Sequence, residues 1–330
     1  MPILSVGRNP FFLSLSLLFP LVMISAFTPG CDKPRQKSFV IGYVNPNPEE
    51  VEGAQGFLRN MPKFGYVEGK NISYIKCESR DLKVIETTLK EMVEKKVDLI
   101  FTMTTPAAKM AKEATKGTNI PVVFVLYNAI ATGVVDNLVN HGGNITGVQL
   151  GGSTSKALEW LQAVAPGVRN IFIPVCFDTG AARQSLDDLK KSAAHAGIRL
   201  TVSEVRTVEE LRNSLSAMPT DTGAVFILHS WMVGSNLAAI IEYAKPRKIP
   251  IVSAGHLSFD GGVVLSYGPL DNDTGQQAAR LAHDILRGTP PHDLPVETSV
   301  FSLGINLKTA RTVGVKIPDD VLLQADHIIR

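Results

Sequence analysis

From residue 38 onward, hydrophobic positions alternate between two patterns. Compact apolar runs stand at 39–43 (FVIGY), 72–75, 98–102 (DLIFT), 122–126 (VVFVL) and 145–150. Between them, apolar residues recur every three or four positions. Val51, Ala54, Phe57, Leu58 and Met61 share one face over 49–64, and Ile85, Leu89, Met92 and Val93 share one over 82–97. Runs of the first kind predict buried strands and those of the second predict amphipathic helices. Asn45-Pro46-Asn47-Pro48 marks a turn, and Pro106 directly after Thr105 suits the first turn of a third helix.

The cycle restarts after Ser153. Helices are predicted over 158–164, 181–196, 208–218, 237–244 and 274–287, the second of them ending at Gly197. Strands are predicted over 171–175, 200–205, 224–228, 251–253, 262–267 and 299–305. Continuously apolar strands between amphipathic helices imply parallel sheets covered on both faces. The expected fold class is therefore α/β, with two doubly wound parallel-sheet lobes joined by a multi-strand hinge. The expected division is an N-terminal lobe at 38–150, a C-terminal lobe at 151–264, and 265–330 crossing the hinge to complete both. Ligands of such sheets bind beyond the carboxyl ends of the strands. Two facing lobes make that edge a cleft that closes by hinge motion.

Residues 1–30 follow neither pattern. Arg8 is their one charge, and 11–27 (FFLSLSLLFPLVMISAF) is apolar apart from three serines and Pro20. The run is short for a membrane span and interrupted by proline, so 1–30 reads as a secretory signal peptide. The polar tract 31–37 that follows reads as a tether. Cys31, directly after the apolar region, is a candidate lipidation site, the alternative being ordinary cleavage nearby and an unimportant thiol. The chain is expected to be extracytoplasmic.

Composition narrows the class further. Of 330 residues, 45% are hydrophobic and 19% charged, as in a globular protein with large cores. Lys+Arg is 33 against 31 Asp+Glu, which offers nothing for nucleic acid to bind. Three cysteines are too few for a disulfide scaffold, and Cys77 and Cys176 are expected as buried free thiols.

No G-x-S-x-G, H-E-x-x-H, phosphate-loop or G-x-G-x-x-G signature follows a strand where it would act. Gly151-Gly152-Ser153-Thr154-Ser155 reads as a hinge. The seven histidines show no zinc-ligand spacing. His229 and His256 follow strands, where a lone histidine is more often a pocket wall than a base. No catalysis, metal or cofactor is expected.

Candidate ligand-binding residues come from the strand ends. Tyr43 and Asn45 follow the first strand, Thr104 and Thr105 the third, and Tyr127 and Asn128 the fourth. The second lobe adds Phe177, Asp178 and Thr179, then His229, Ser230 and Trp231, then Ala254, Gly255 and His256. Thr104 and Thr105 open a helix, whose free N–H groups, dipole and hydroxyls suit a carboxylate. Either threonine can also simply cap that helix. Aromatic side chains with a few polar anchors suit a small amphipathic ligand. Each has a bland alternative: Trp231 as cover for a helix end, Tyr127 as ordinary core.

The phrases F-G-Y-V-E-G-K-N (64–71), T-P-A-A-K-M-A (105–111), G-G-N-I-T-G (142–147) and I-N-L-K-T-A (305–310) occur in this order. With them the chain, from about 38 to its end, resembles the substrate-binding lipoproteins of ABC importers that include tryptophan- and phenylalanine-binding proteins. The resemblance implies a type I-like periplasmic-binding-protein fold with three crossing strands and no catalysis. Its implied partners are a small-molecule ligand, ABC permease and ATPase subunits, and a membrane if Cys31 is acylated, the protein itself being a monomer. It places Thr104 and Thr105 at the family's carboxylate-binding helix start. The family usually carries Asp-Pro where this chain has Asn128-Ala129, and Asn-Pro where it has Phe177-Asp178. Either Asp178 supplies the missing charge or the ligand is not an amino acid. Asp32 resembles an inner-membrane retention signal. Two other readings stay open: a sensory receptor of the same fold, and a secreted α/β hydrolase.

Overall fold

The computed structural model describes residues 37–46, 51–178, 180–255 and 261–330. The readings for 1–30, the tether, Cys31, Thr179 and His256 fall outside them, Lys37 excepted.

Strand and helix alternate as the hydrophobic pattern does. β1 (Phe39–Asn45) leads to α1 (Val51–Asn60) and a 3-10 turn at Met61–Phe64. β2 (Ile72–Glu78), α2 (Leu82–Glu94), β3 (Leu99–Met103), α3 (Thr105–Ala114), β4 (Val122–Leu126) and β5 (Ile145–Gln149) follow. α4 (Ser153–Val164) opens the second series: β6 (Asn170–Val175), α5 (Gly180–Ala196), β7 (Arg199–Glu204), α6 (Val208–Ser216) and β8 (Ala224–Ile227). It continues with α7 (Trp231–Ser235), α8 (Leu237–Ala244), β9 (Ile251–Ser253) and β10 (Leu265–Pro269). α9 (Asp271–Leu286), β11 (Glu297–Thr298), β12 (Phe301–Asn306), α10 (Leu307–Val313), α11 (Asp319–Leu322) and β13 (His327–Ile329) complete the chain.

The first sheet runs β11-β5-β4-β3-β1-β2 and the second β13-β12-β10-β9-β8-β6-β7. All pairings are parallel except β10 with β12. The chain passes between the lobes after β5, after β10 and after β11, because α9 and β11 return to the first lobe and β12 leaves it. These passages are the multi-strand hinge.

Both sheets bury both faces, with the period of two that strands impose. Ile41, Tyr43 and Phe101 pack with Phe57 of α1 and Ala278, Leu281 and Ala282 of α9. On the opposite face Val44, Ile100 and Phe124 pack with Ile85, Leu89 and Met92 of α2 and Ala107, Ala108 and Ala111 of α3. In the second lobe Ile171 and Ile173 face α4 and α5, while Phe172 faces α6 and α8.

α1 and α9 cross so closely that a methyl group on Gly275 would fall inside the backbone of Gly56. Buried Asn60 secures the crossing, its amide donating to Gly56 O (2.7 Å) and Asn272 Oδ1 (3.2 Å).

The structure departs from the sequence expectations in detail. The helix predicted over 49–64 breaks at its end into the 3-10 turn, because Pro62 has no N–H and Gly65 takes φ 89°. α7, β11, α10, α11 and β13 have no counterpart in the pattern reading. All are seven residues or shorter, too short for a period to register. Cys77 is buried, but Cys176 is only partly so; both are free thiols.

Candidate functional site

Each sheet reverses its strand order once, between β1 and β3 and between β6 and β8. Just outside the carboxyl ends at such points lies the crevice where open α/β sheets take ligands. In the first lobe these ends present Asn45, Thr104 and Thr105; in the second, Phe177, Asp178, Ser230 and Trp231.

Thr104 is the N-cap of α3 and holds φ 72° with ψ 154°, a region that suits glycine and strains a β-branched residue. Its Oγ1 is buried without a hydrogen-bond partner and does not cap the helix. Backbone bonds hold it there: Thr104 N donates to Val125 O (2.9 Å), and Thr104 O accepts from Ala108 N (3.1 Å). Strain of this kind costs about 1–3 kcal/mol. Thr104→Gly is therefore expected to melt at or above the parent temperature and above Thr104→Ala, which keeps the strain. Thermal unfolding of the three proteins checks the order, and Thr104→Gly melting lowest would refute it.

In the second lobe two side chains cap α7. Asp178 Oδ2 accepts the Met232 N–H (2.7 Å), and Ser230 Oγ accepts that of Val233 (3.4 Å). Partial burial raises the Asp178 pKa above the usual carboxylate range, against the lowering effect of its hydrogen bonds from Met232 and Ser230 and of nearby Arg80. Trp231, the first residue of α7, remains 37% exposed. The Arg80 guanidinium lies 5.6 Å from its ring centroid, and that of Arg183 lies 4.1 Å from the ring of Phe177.

A buried polar junction joins β4 of the first lobe to α4 and α5 of the second. Tyr127, just past β4, sends its hydroxyl to Thr154 Oγ1 of α4 (3.0 Å) and Asp188 Oδ2 of α5 (3.3 Å). Burial first, and the Asp188 carboxylate second, raise its pKa, while the Thr154 hydrogen bond works against them. Its ring meets that of His229 edge-on at 4.9 Å, and His229 Nε2 lies 3.4 Å from Ser153 Oγ. Desolvation pushes the His229 pKa down to about 4, so the ring is neutral at pH 7.

The remaining candidates are scattered. Tyr43 is fully buried, stacked on Phe101 within the first lobe, its pKa raised by burial and then by Glu78. Asn45 is buried close by. Asn128 Oδ1 accepts the Ala131 N–H (2.9 Å) and so shapes its own turn. Gly255 O is held by Ser253 Oγ (3.0 Å) and Ser266 Oγ (2.8 Å). The pattern reading missed Arg80 and Asp188, took Thr154 only as part of the hinge stretch, and placed His229 at a strand end as a pocket wall. Arg80 follows β2, so the strand-end rule that selected the other candidates would have found it. Asp188 lies within a helix and carries no local signal. Among the described residues no cluster of three metal-ligating side chains forms.

Residues 45–329 match the family described as ABC transporter substrate binding protein. The chain belongs to this family. A tyrosine-binding protein of Clostridioides difficile (strain R20291) is 24% identical over 269 residues, which is 81% of this chain and 77% of that protein. Among solved structures, a conserved domain protein of Vibrio cholerae superposes with a TM-score of 0.75 at 24% identity, covering 89% of this chain and 99% of that one. An ABC domain from Streptococcus pneumonia in complex with L-Trp gives 0.74 at 23% identity, over 89% and 100%. The substrate-binding protein thus has the type I-like periplasmic-binding fold expected of it. Its family was legible in the sequence motifs and its two parallel-sheet lobes in the hydrophobic pattern.

Proposed function

We propose that this substrate-binding protein is the extracytoplasmic solute-binding component of an ABC importer, taking a small amphipathic, amino-acid-like solute between its lobes and closing on it. Thr104 carries the reading: a strained, buried, unsatisfied hydroxyl at a helix start beside the strand-order reversal is placed for an anionic group. Trp231 and Phe177 at the opposing reversal supply aromatic surface for the rest of the solute. The similar tyrosine-binding protein and the L-Trp complex support an aromatic amino acid as the first class to test.

A thermal-shift screen of the purified protein against amino acids, nucleosides, sugars and organic acids tests this. Ligand at about 100 times its Kd stabilises a protein by about 2.7 kcal/mol, a readily measured shift. L-Tyrosine or L-tryptophan is expected to raise the melting temperature, and Thr105→Val and Trp231→Ala to reduce that rise. No shift with any amino acid, or an undiminished shift in both variants, would overturn the reading.

A further inference from the structure

Arg80 and Trp231 come from different lobes, and each stands on a turn held by its own side-chain bonds. In the β2–α2 turn, Asp81 N donates to Ser79 Oγ (3.1 Å), and Asp81 Oδ1 accepts the Lys83 N–H (2.8 Å), capping α2. Arg80 lies between these two anchors. On the other lobe, Asp178 and Ser230 cap α7 on either side of Trp231. The guanidinium reaches the indole ring across the lobe boundary, and its charge also acts on the Asp178 carboxylate. A planar cation over an aromatic face is attracted to it, and a nearby carboxylate adds a weaker, longer-range pull.

We propose that Arg80 is an affinity-determining residue acting as a clasp: its contact with Trp231, backed by Asp178, holds the lobes together and so sets how tightly solute is retained. The clasp joins two turns whose backbones the helix caps already hold in place, so forming it orders the Arg80 side chain and little backbone. Retention by this route rests on the solute-binding reading, but the clasp itself does not.

The experiment is a double-mutant cycle on the full chain with Arg80→Ala, Trp231→Ala and the pair, using L-tyrosine and L-tryptophan as calorimetric probes. Each single variant is expected to weaken binding about two- to fivefold, the range of an exposed cation–π contact, and the pair no more than the worse single variant. Arg80→Lys, which keeps the charge but not the plane, should fall between parent and Arg80→Ala. Small-angle scattering without added solute supplies the second readout. Arg80→Ala should have a larger radius of gyration than the parent at an unchanged melting temperature. Additive losses in the cycle, or an unchanged radius of gyration, overturn the clasp. If neither amino acid binds the parent, the aromatic amino-acid choice fails, and scattering alone decides the clasp.

Discussion

Gly275→Ala is expected to be among the most damaging single-methyl changes in this protein. The added carbon would overlap the Gly56 backbone where α9 crosses α1, and a helix backbone cannot swing aside as a side-chain tip can. Overpacking costs about 1–3 kcal/mol, and this case belongs at the upper end, a fall of roughly 6–10 °C in melting temperature. Gly180→Ala is the control. Nothing lies within 4 Å of its would-be methyl group, and it opens α5, where alanine favours helix. A Gly275→Ala protein that melts with the parent would mean that the helices do not cross as described. The crossing matters for function because α9 belongs to the passage that returns the chain from β10 to the first lobe.

The second large effect is acid sensitivity through His229. Its pKa is about 4 in the folded protein against an ordinary 6.5. Above pH 6.5 the ring is neutral in both states and contributes no slope. Below that, the unfolded chain takes up a proton that the folded one refuses, so stability falls as pH drops toward 4. At about 1.36 kcal/mol per pH unit the loss reaches about 3 kcal/mol. His229→Gln removes this term. Urea unfolding at a series of pH values should show the parent losing about 3 kcal/mol more than the variant between pH 7 and pH 4. Parallel curves would show that the imidazole does not resist protonation. The site of the effect is the junction of Tyr127, Ser153 and His229, so acid is expected to loosen the hinge region first.

Fold and site were legible to different degrees for a physical reason. β4 is apolar throughout, and β3 and β6 each carry one polar residue (Thr102, Asn170); such runs appear in sequence whatever they pair with. Thr104 and Thr105 were selected as candidates because a strand running into Thr-Pro fixes where a helix begins, and α3 does begin there. Tyr43 shows the limit. It follows the same strand-end rule, yet its side chain belongs to the stack on Phe101, since alternation along β1 decides which face a residue takes and the first strand is buried on both. α7 is five residues long, and its caps come partly from Asp178, 54 positions away from Met232. No local pattern announces a helix stabilised from that distance.

By itself, then, the order of apolar runs and amphipathic stretches determined the two wound sheets and the strand ends where binding groups could stand, and the sequence phrases from 64 to 310 carried the family resemblance. Burial on both faces and helix periodicity are written residue by residue into neighbouring positions. Only the tertiary structure decided that α9 returns to lie on α1, that Tyr127 bridges to Thr154 and Asp188, and that Arg80 meets Trp231. Those pairings depend on how distant segments approach after the chain has crossed between lobes, and the energy that selects them arises only once both partners are buried together.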